Sequence, residues 1–244
     1  MRVNSRIVSS IVALLIFTAI VIVVMISFSG SEDIIYEIYL LSKTVKAPDE
    51  SILMTVEIEY PQIISGSSKT MIEKFNMEFY NRARTDYDDI IDTFVDSMLE
   101  EFAVEGSVPF TPFTFSTSVE MTYSKNDIIS VLYTDFQYAG GAHPNSWQYA
   151  YTYNIKNGDL LKPQDIMGIT YNEIFVQVRQ LFVEDIHNNQ IREQTALRVI
   201  DEEYDAIKYY LDETGLVFYF DPYEIASYAD GRRSVTVPFE VNVK

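Results

Sequence analysis

The stretch from Tyr133 to Leu161, YTDFQYAGGAHPNSWQYAYTYNIKNGDLL, decides the fold. Trp147, Tyr149, Tyr151, Tyr153 and Ile155 alternate with Gln148, Ala150, Thr152 and Asn154, the period of a strand with one aromatic face. Upstream, Phe113, Phe115, Thr117, Val119, Met121 and Tyr123 alternate with Thr114, Ser116, Ser118, Glu120 and Thr122. The turn Ser124-Lys125-Asn126-Asp127 then leads into a run from Ile128 to Tyr138, so the two segments read as a β-hairpin. Downstream, Asn157-Gly158 suits the positive-φ positions of a type I′ turn that returns the chain through Leu160 and Leu161. Together these segments predict an antiparallel meander with one aromatic face.

Gly140 and Gly141 interrupt the strand pattern. Without a Cβ the backbone can take positive φ there or approach another surface closely. The Gly140-Gly141-Ala142-His143 corner therefore has two readings. Its successive N–H groups form an anion-binding nest, or it is a bend where the sheet changes direction, with His143 hydrogen-bonded nearby.

Working outward, Met54, Val56, Ile58 and Tyr60 alternate with Thr55, Glu57 and Glu59 as a first strand that Pro61 should end. From Ser67 to Phe102, apolar residues recur every three or four positions, through Ile72, Phe75, Phe79, Ala83, Tyr87, Ile90, Ile91, Phe94 and Met98. That is one long helix with a buried stripe, Thr70 and Glu73 forming its capping box and Gly106 its end. Asp86, Asp88, Asp89, Asp92, Asp96, Glu100 and Glu101 lie largely off the stripe, and read either as a cation surface or as a solvated helix face. Past the meander, Lys162 to Ile166 begins a helical turn. Ile174, Phe175, Val178, Phe182 and Ile186 mark an amphipathic helix from Tyr171 to His187, and another helix runs from Glu193 to Asp205. Ile207–Leu211 and Leu216–Phe220 flank a hairpin turn, Asp221-Pro222-Tyr223-Glu224 leaves it, and Ser234–Phe239 is the last strand. The expected fold class is α+β: antiparallel sheet meander and hairpins packed with about three helices and preceded by one transmembrane helix. The expected division is 1–30, a short cytoplasmic end and anchor; 31–51, a juxtamembrane linker in which Ile34, Ile35, Ile38 and Leu41 continue the helix; 52–106, a strand–helix unit; and 110–244, a second module sharing the core.

The anchor rests on Ile7 to Phe28, which contains no charged residue and is long enough to cross the ~30 Å hydrocarbon core. Arg2 and Arg6 precede it and Glu32 and Asp33 follow, which places the C-terminal bulk outside the cytoplasm. The competing reading is a secretory signal cleaved after Ser27-x-Ser29, leaving a secreted chain. The absence of cysteine excludes disulfides, thiol catalysis, thiolate metal sites and cysteine-linked lipidation.

Gly140-Gly141-Ala142-His143, the tyrosine strand, Asn157-Gly158-x-Leu160 and Asp165-Ile166 resemble a family of bacterial extracytoplasmic domains. So does the run Gly215-Leu216-Val217-Phe218-Tyr219-Phe220-Asp221-Pro222-Tyr223-Glu224-Ile225-Ala226-Ser227-Tyr228-Ala229-Asp230-Gly231, with the Val235-Thr236-Val237-Pro238 strand behind it. The family includes the sensor portion of RsiV-type anti-sigma factors, which bind lysozyme, and the non-catalytic N-terminal region of PdaC-type peptidoglycan deacetylases. The resemblance spans Met54 to the C-terminus. It implies a membrane-tethered sensing or binding module, because only Met1 to Arg6 precede the apolar run and no catalytic domain follows.

The residues themselves offer no catalytic constellation. His143 and His187 are the two histidines, so an Asp-and-two-His deacetylase metal centre has no ligand set at close spacing. No H-E-x-x-H, P-loop, G-x-S-x-G or dinucleotide fingerprint is present. No spacing singles out a glycosidase carboxylate pair. The expectation is a binding module with no enzymatic activity, no cofactor and no metal; the alternatives are a cell-wall hydrolase or deacetylase of another type, or a structural partner in an envelope complex. The formal net charge of −18 repels nucleic acid and anionic lipid and favours a cationic partner. A basic protein such as lysozyme or a cell-wall polymer fits both the charge and the resemblance, although acidity also keeps an exported domain soluble. The expected surface joins Gly140, Gly141 and His143 of the corner to Asp221, Tyr223, Glu224 and Tyr228 of the late loop, with the acids meeting the basic partner.

Overall fold

A long helix lies across one face of a five-strand sheet. A three-strand sheet, backed by shorter helices, attaches to the other face. The computed structural model describes residues 34–47, 49–105, 111–189, 191–204 and 206–239, together with the isolated pair Ile22–Val23. The anchor expected over 7–28 falls outside the described residues, apart from that pair, which lies antiparallel to Ile38 and Tyr39. No described helix is long and apolar enough to cross a membrane.

The elements are β1 (Ile35–Lys46), β2 (Ile52–Ser65), α1 (Lys69–Glu105), β3 (Phe113–Lys125), β4 (Ile128–Tyr138), β5 (Asn145–Asn154), α2 (Pro163–Met167), α3 (Tyr171–Asn188), α4 (Glu193–Glu202), β6 (Lys208–Leu211), β7 (Gly215–Phe220) and β8 (Arg233–Pro238). Strands β1 to β5 form the first sheet in chain order, and β6, β7 and β8 form the second. The class is α+β, as expected, with four described α-helices rather than about three.

Three features of the first sheet differ from the expectation. Residues 35–46 do not continue a helix but form β1, antiparallel to the whole length of β2. A weak helical period yields to the edge that β2 offers, helped by the Tyr39–Tyr60 cross-strand pair, whose rings lie 5.8 Å apart. Strand β2 also runs through Pro61 to Ser65. Two residues on, the Ile63 N–H points away from β1 and donates to the Asn76 side-chain oxygen at 2.7 Å. The Pro61 nitrogen faces the same way, where the pairing with β3 has already ended at Ile58, so the missing N–H leaves no gap in a ladder. The Asn76 amide also donates to the Ile63 carbonyl at 2.9 Å, so one side chain stands in for a neighbouring strand. Finally, β2 and β3 pair in parallel, Met54 with Phe113 through Ile58 with Thr117, making the sheet mixed rather than antiparallel. Helix α1 is the crossover that a parallel pair requires.

Helix α1 buries Phe75, Phe79, Ala83, Tyr87 and Met98 of the predicted stripe. Its N-terminus is capped by Ser68 rather than Thr70: the hydroxyl accepts from the Met71 N–H at 3.4 Å and the carbonyl from Ile72 at 2.9 Å. The β3–β4 hairpin turns at Asn126 and Asp127, whose φ values of 54° and 60° make it type I′. The turn after β5 is not type I′, since only Gly158 has positive φ (86°), and the chain returns by a single bridge between Tyr153 and Leu160.

The second sheet is built on β7, all six of whose residues are buried. Helix α3 packs Ile174, Val178, Phe182 and Ile186 against it, and α4 adds Ala196 and Ile200. Polar side chains join the two sheets. The buried Ser130 hydroxyl accepts from the Leu211 N–H at 3.0 Å, while the Thr122 hydroxyl donates to the Leu211 carbonyl at 2.6 Å. Alternation places Ser130 on the face opposite Ile129 and Val131, so β6 docks on the side of the sheet away from α1.

Candidate functional site

The corner between β4 and β5 and the loop after β7 meet, as their shared position at the ends of aromatic strands suggested. Gly140 and Gly141 hold φ of +84° and +105° and face open space. The Tyr138 hydroxyl donates to the Gly141 carbonyl at 3.2 Å, which ties the bend down. His143 Nδ1 lies 2.9 Å from the Pro144 carbonyl. A carbonyl only accepts, so Nδ1 carries the proton; in the neutral ring Nε2 then accepts from the Tyr223 hydroxyl, 3.2 Å away. The imidazole stacks on Tyr228 at 4.6 Å between centroids, and Tyr223 and Tyr228 are 5.5 Å apart. Tyr223 is 62% exposed and Tyr228 39%. Ile225, between them in the same loop, goes into the core.

Tyr223 holds φ at +75°, a left-handed conformation that a bulky side chain rarely adopts. The turn fixes it there. The Tyr223 N–H donates to the Ala226 carbonyl at 3.1 Å, the Glu224 N–H to the Asp221 carbonyl at 3.1 Å, and the Asp221 N–H to the Glu224 carboxylate. The strain presents the ring to solvent.

Asp221 and Glu224 are not free to meet a partner. The Asp221 side chain is 7% exposed and lies between Lys208 Nζ at 2.6 Å and the Arg232 guanidinium at 2.7 Å, with the Gln148 N–H donating to it as well. Lys208 bridges to Glu224 at 2.7 Å. The carboxylates that the sequence suggested for a basic partner instead form the ionic floor under the two tyrosines. A shallow pocket of about 400 Å³ runs over this floor between Trp147, Lys208, Glu224 and Tyr228.

A second, larger cleft of about 530 Å³ opens between α1 and the sheet. Its walls include Phe94, Phe115, Trp147, Tyr149 and Tyr151, and its polar groups include Arg82, Asp86, Asp89 and Asp135. The Arg82 guanidinium stands over the Tyr151 ring, 4.2 Å from its centroid, within reach of Tyr133 and Tyr149. Burial pushes the Asp86 carboxyl above its ordinary range, although Arg82 pulls the other way. Burial also raises Asp135, opposed by the Thr117 hydroxyl, which donates to it at 2.6 Å. None of the ion pairs among the described residues involves Asp86, Asp89 or Asp135. No group of three or more His, Asp or Glu side chains that could hold a metal ion occurs among the described residues. The sequence reading passed this cleft by, though its signals were present. Asp135 continues the every-second-residue series Ile129, Val131, Tyr133, a lone carboxylate on an apolar face. Arg82 and Asp86 likewise extend the helical series begun by Phe75 and Phe79. Trp147 borders both hollows.

Comparison with known proteins gives two consecutive family regions. Residues 48–146 match the family described as deacetylase PdaC, and residues 159–240 match DUF3298, a protein family described as of unknown function. Together they cover the stretch over which the resemblance ran. A crystal structure of a DUF3298 family member from Bacteroides fragilis is 14% identical, with a TM-score of 0.63 over 87% of this chain and 93% of that one. Another, from Pseudomonas aeruginosa, is 11% identical, with a TM-score of 0.48 over 93% of this chain and 90% of that one. At such identity the Bacteroides likeness concerns the fold. No curated protein matches the chain.

Proposed function

We propose that this chain, a PdaC region joined to a DUF3298 region, is an extracytoplasmic binding or sensing module. On this reading it is tethered through residues 7–28 and holds its partner on the His143–Tyr223–Tyr228 surface. The observation that carries the reading is Tyr223. An exposed tyrosine held in a left-handed backbone by its own turn is a strained feature that the core does not require. Rigid rings with polar tips, fixed on the ends of strands, are effective contact groups. The net charge of −18 favours a basic partner, and a cell-wall-active protein such as lysozyme is the partner of choice, with the wall polymer as the other source of the contact. Because Asp221 and Glu224 are held by Lys208 and Arg232, the acidic surface as a whole supplies steering and the rings supply contact.

The test is calorimetric titration of the purified full chain with a basic lysozyme at low and high salt, beside co-sedimentation with intact peptidoglycan. The double substitution Tyr223→Ala, Tyr228→Ala is expected to weaken whichever interaction exists by at least about tenfold, with the melting temperature nearly unchanged. Loss of the lysozyme signal with retained sedimentation would assign the surface to the wall. A chain that binds neither lacks the proposed role. The module is proposed to catalyse nothing: peptidoglycan turnover that persists through purification and disappears on a single carboxylate substitution overturns that statement. The tether is tested by alkaline washing of membranes. Retention in the membrane fraction supports the anchor, whereas a soluble form beginning near Gly30 identifies a cleaved signal.

A further inference from the structure

We propose that the cleft between α1 and the first sheet is a second binding site, for a small organic cation with a flat or apolar body. Its volume of about 530 Å³ falls within the range of small-molecule pockets. Phe94, Phe115, Trp147 and Tyr149 give it aromatic walls, which attract cations through their faces and cover apolar surface. The polar groups set the sign of the ligand. Asp86, Asp89 and Asp135 line the cleft, while Arg82, the one lining cation among the described residues, stands over the Tyr151 ring. Three carboxylates against one guanidinium leave the cleft negative.

Two other shielded aspartates are matched by cations. Asp221 has Lys208 and Arg232, and Asp185 has Arg233. By contrast, no ion pair among the described residues involves the cleft acids Asp86, Asp89 or Asp135. Asp135 is held instead by neutral donors, the Thr117 hydroxyl and the Trp147 and Tyr149 side chains, which fix its position without neutralising it. An ammonium or amidinium group would complete this arrangement while its apolar part lies along Trp147 and Tyr149. The site does not depend on the tyrosine surface at the corner, so either can fail without the other.

Trp147 makes the test direct, because it is the one tryptophan in the chain and it borders the cleft. The full chain is titrated with phenethylamine and with 2-phenylethanol, its neutral isostere, following tryptophan emission with excitation beyond tyrosine absorption. Phenethylamine should give a saturable change with at least about tenfold tighter binding than the alcohol, and Asp86→Asn and Asp135→Asn should each weaken it several-fold. Asp86→Asn guards against misfolding, since the Asp86 carboxyl receives no hydrogen bond from the sheet among the described contacts. Tyr223→Ala should leave the titration unchanged. The proposal is overturned if phenethylamine gives no saturable signal, if the alcohol binds equally well, or if Tyr223→Ala abolishes the response while the aspartate variants keep it.

Discussion

Asp221, just past the end of a strand, and Asp135, inside one, are both shielded aspartates, and the protein treats them in opposite ways. Asp221, at the end of β7, is locked between two cations and a backbone N–H. Asp135, in β4, is held by neutral donors, the Thr117 hydroxyl and the Trp147 and Tyr149 side chains, and burial raises its pKa. The first arrangement fixes a loop in place. The second leaves a charge requirement open beside a hollow. The contrast separates a carboxylate that builds the structure from one that remains available to a ligand, a distinction that residue type cannot make.

The largest effect should come from breaking the closed arrangement. Asp221→Ala removes the counter-charge of Arg232 and leaves Lys208 with Glu224 alone, a loss of about 3 kcal/mol. Thermal unfolding followed by circular dichroism should show the midpoint falling by about 10 °C. A shift near zero would mean that the floor under the tyrosines is dispensable. Asn76→Ala should come next, at about 2 kcal/mol, because it leaves the Ile63 N–H and carbonyl without partners. Hydrogen exchange at the Ile63 amide should quicken more than at Met54, where β3 covers the strand; equal protection would remove Asn76's role as a surrogate strand. Tyr223→Gly should change stability by no more than about 1 kcal/mol, since glycine accepts φ of +75° without strain while the contact with His143 is lost. The variant should nevertheless abolish partner binding, and a large stability loss would show that the fold depends on the Tyr223 ring.

The smallest effect sits in the cleft, and its sign follows from burial. The folded Asp86 carboxyl has a pKa raised above its unfolded value, so the native state holds that proton more tightly. Its contribution to stability is therefore greatest at acid pH and is lost as pH rises through the raised folded value. Asp86→Asn removes this dependence. The variant should melt at or slightly above the parent near neutrality, and the difference should close on mild acidification. Carboxylates such as Asp201, lowered by Arg179, titrate in the opposite sense, so only the difference between variant and parent is diagnostic. A variant that is less stable at neutral pH would show that Asp86 is already satisfied and would weaken the contrast with Asp221.

Much of this molecule was legible because period-two and helical patterns report local geometry. The β3–β4 hairpin, β5, α3 and the β6–β7 hairpin fall where alternation and turn residues placed them. The Gly140 corner and the Tyr223 loop were correctly brought together, because both leave ends of strands that belong to docked sheets. What alternation cannot state is which strand lies beside which. Nothing near Met54 marks Phe113 as its parallel neighbour, and nothing near Asp221 marks Lys208 or Arg232 as its partners. The charge of Asp221 was read correctly and its direction was not, since direction depends on cations supplied by other strands. The cleft was missed for a different reason. Arg82, Asp86 and Asp135 were each visible as polar intrusions on apolar faces, and only the packing of α1 on the sheet turns three intrusions into one site.

The parallel β2–β3 ladder carries a consequence for how the chain reaches this state. Every other strand pair of the first sheet is antiparallel and consecutive in sequence, so it can zip from a nearby turn. The β2–β3 ladder joins Met54 to Phe113, 59 positions later, with the whole of α1 between them. The entropy of closing that span must be met before the ladder returns any enthalpy. The hairpins and the helix are thus early, local events, and the β2–β3 seam is the late step that commits the chain to its topology. Until the seam closes, two long strand edges are unpaired, which makes the interval before closure the point in the protein's history most open to misassociation.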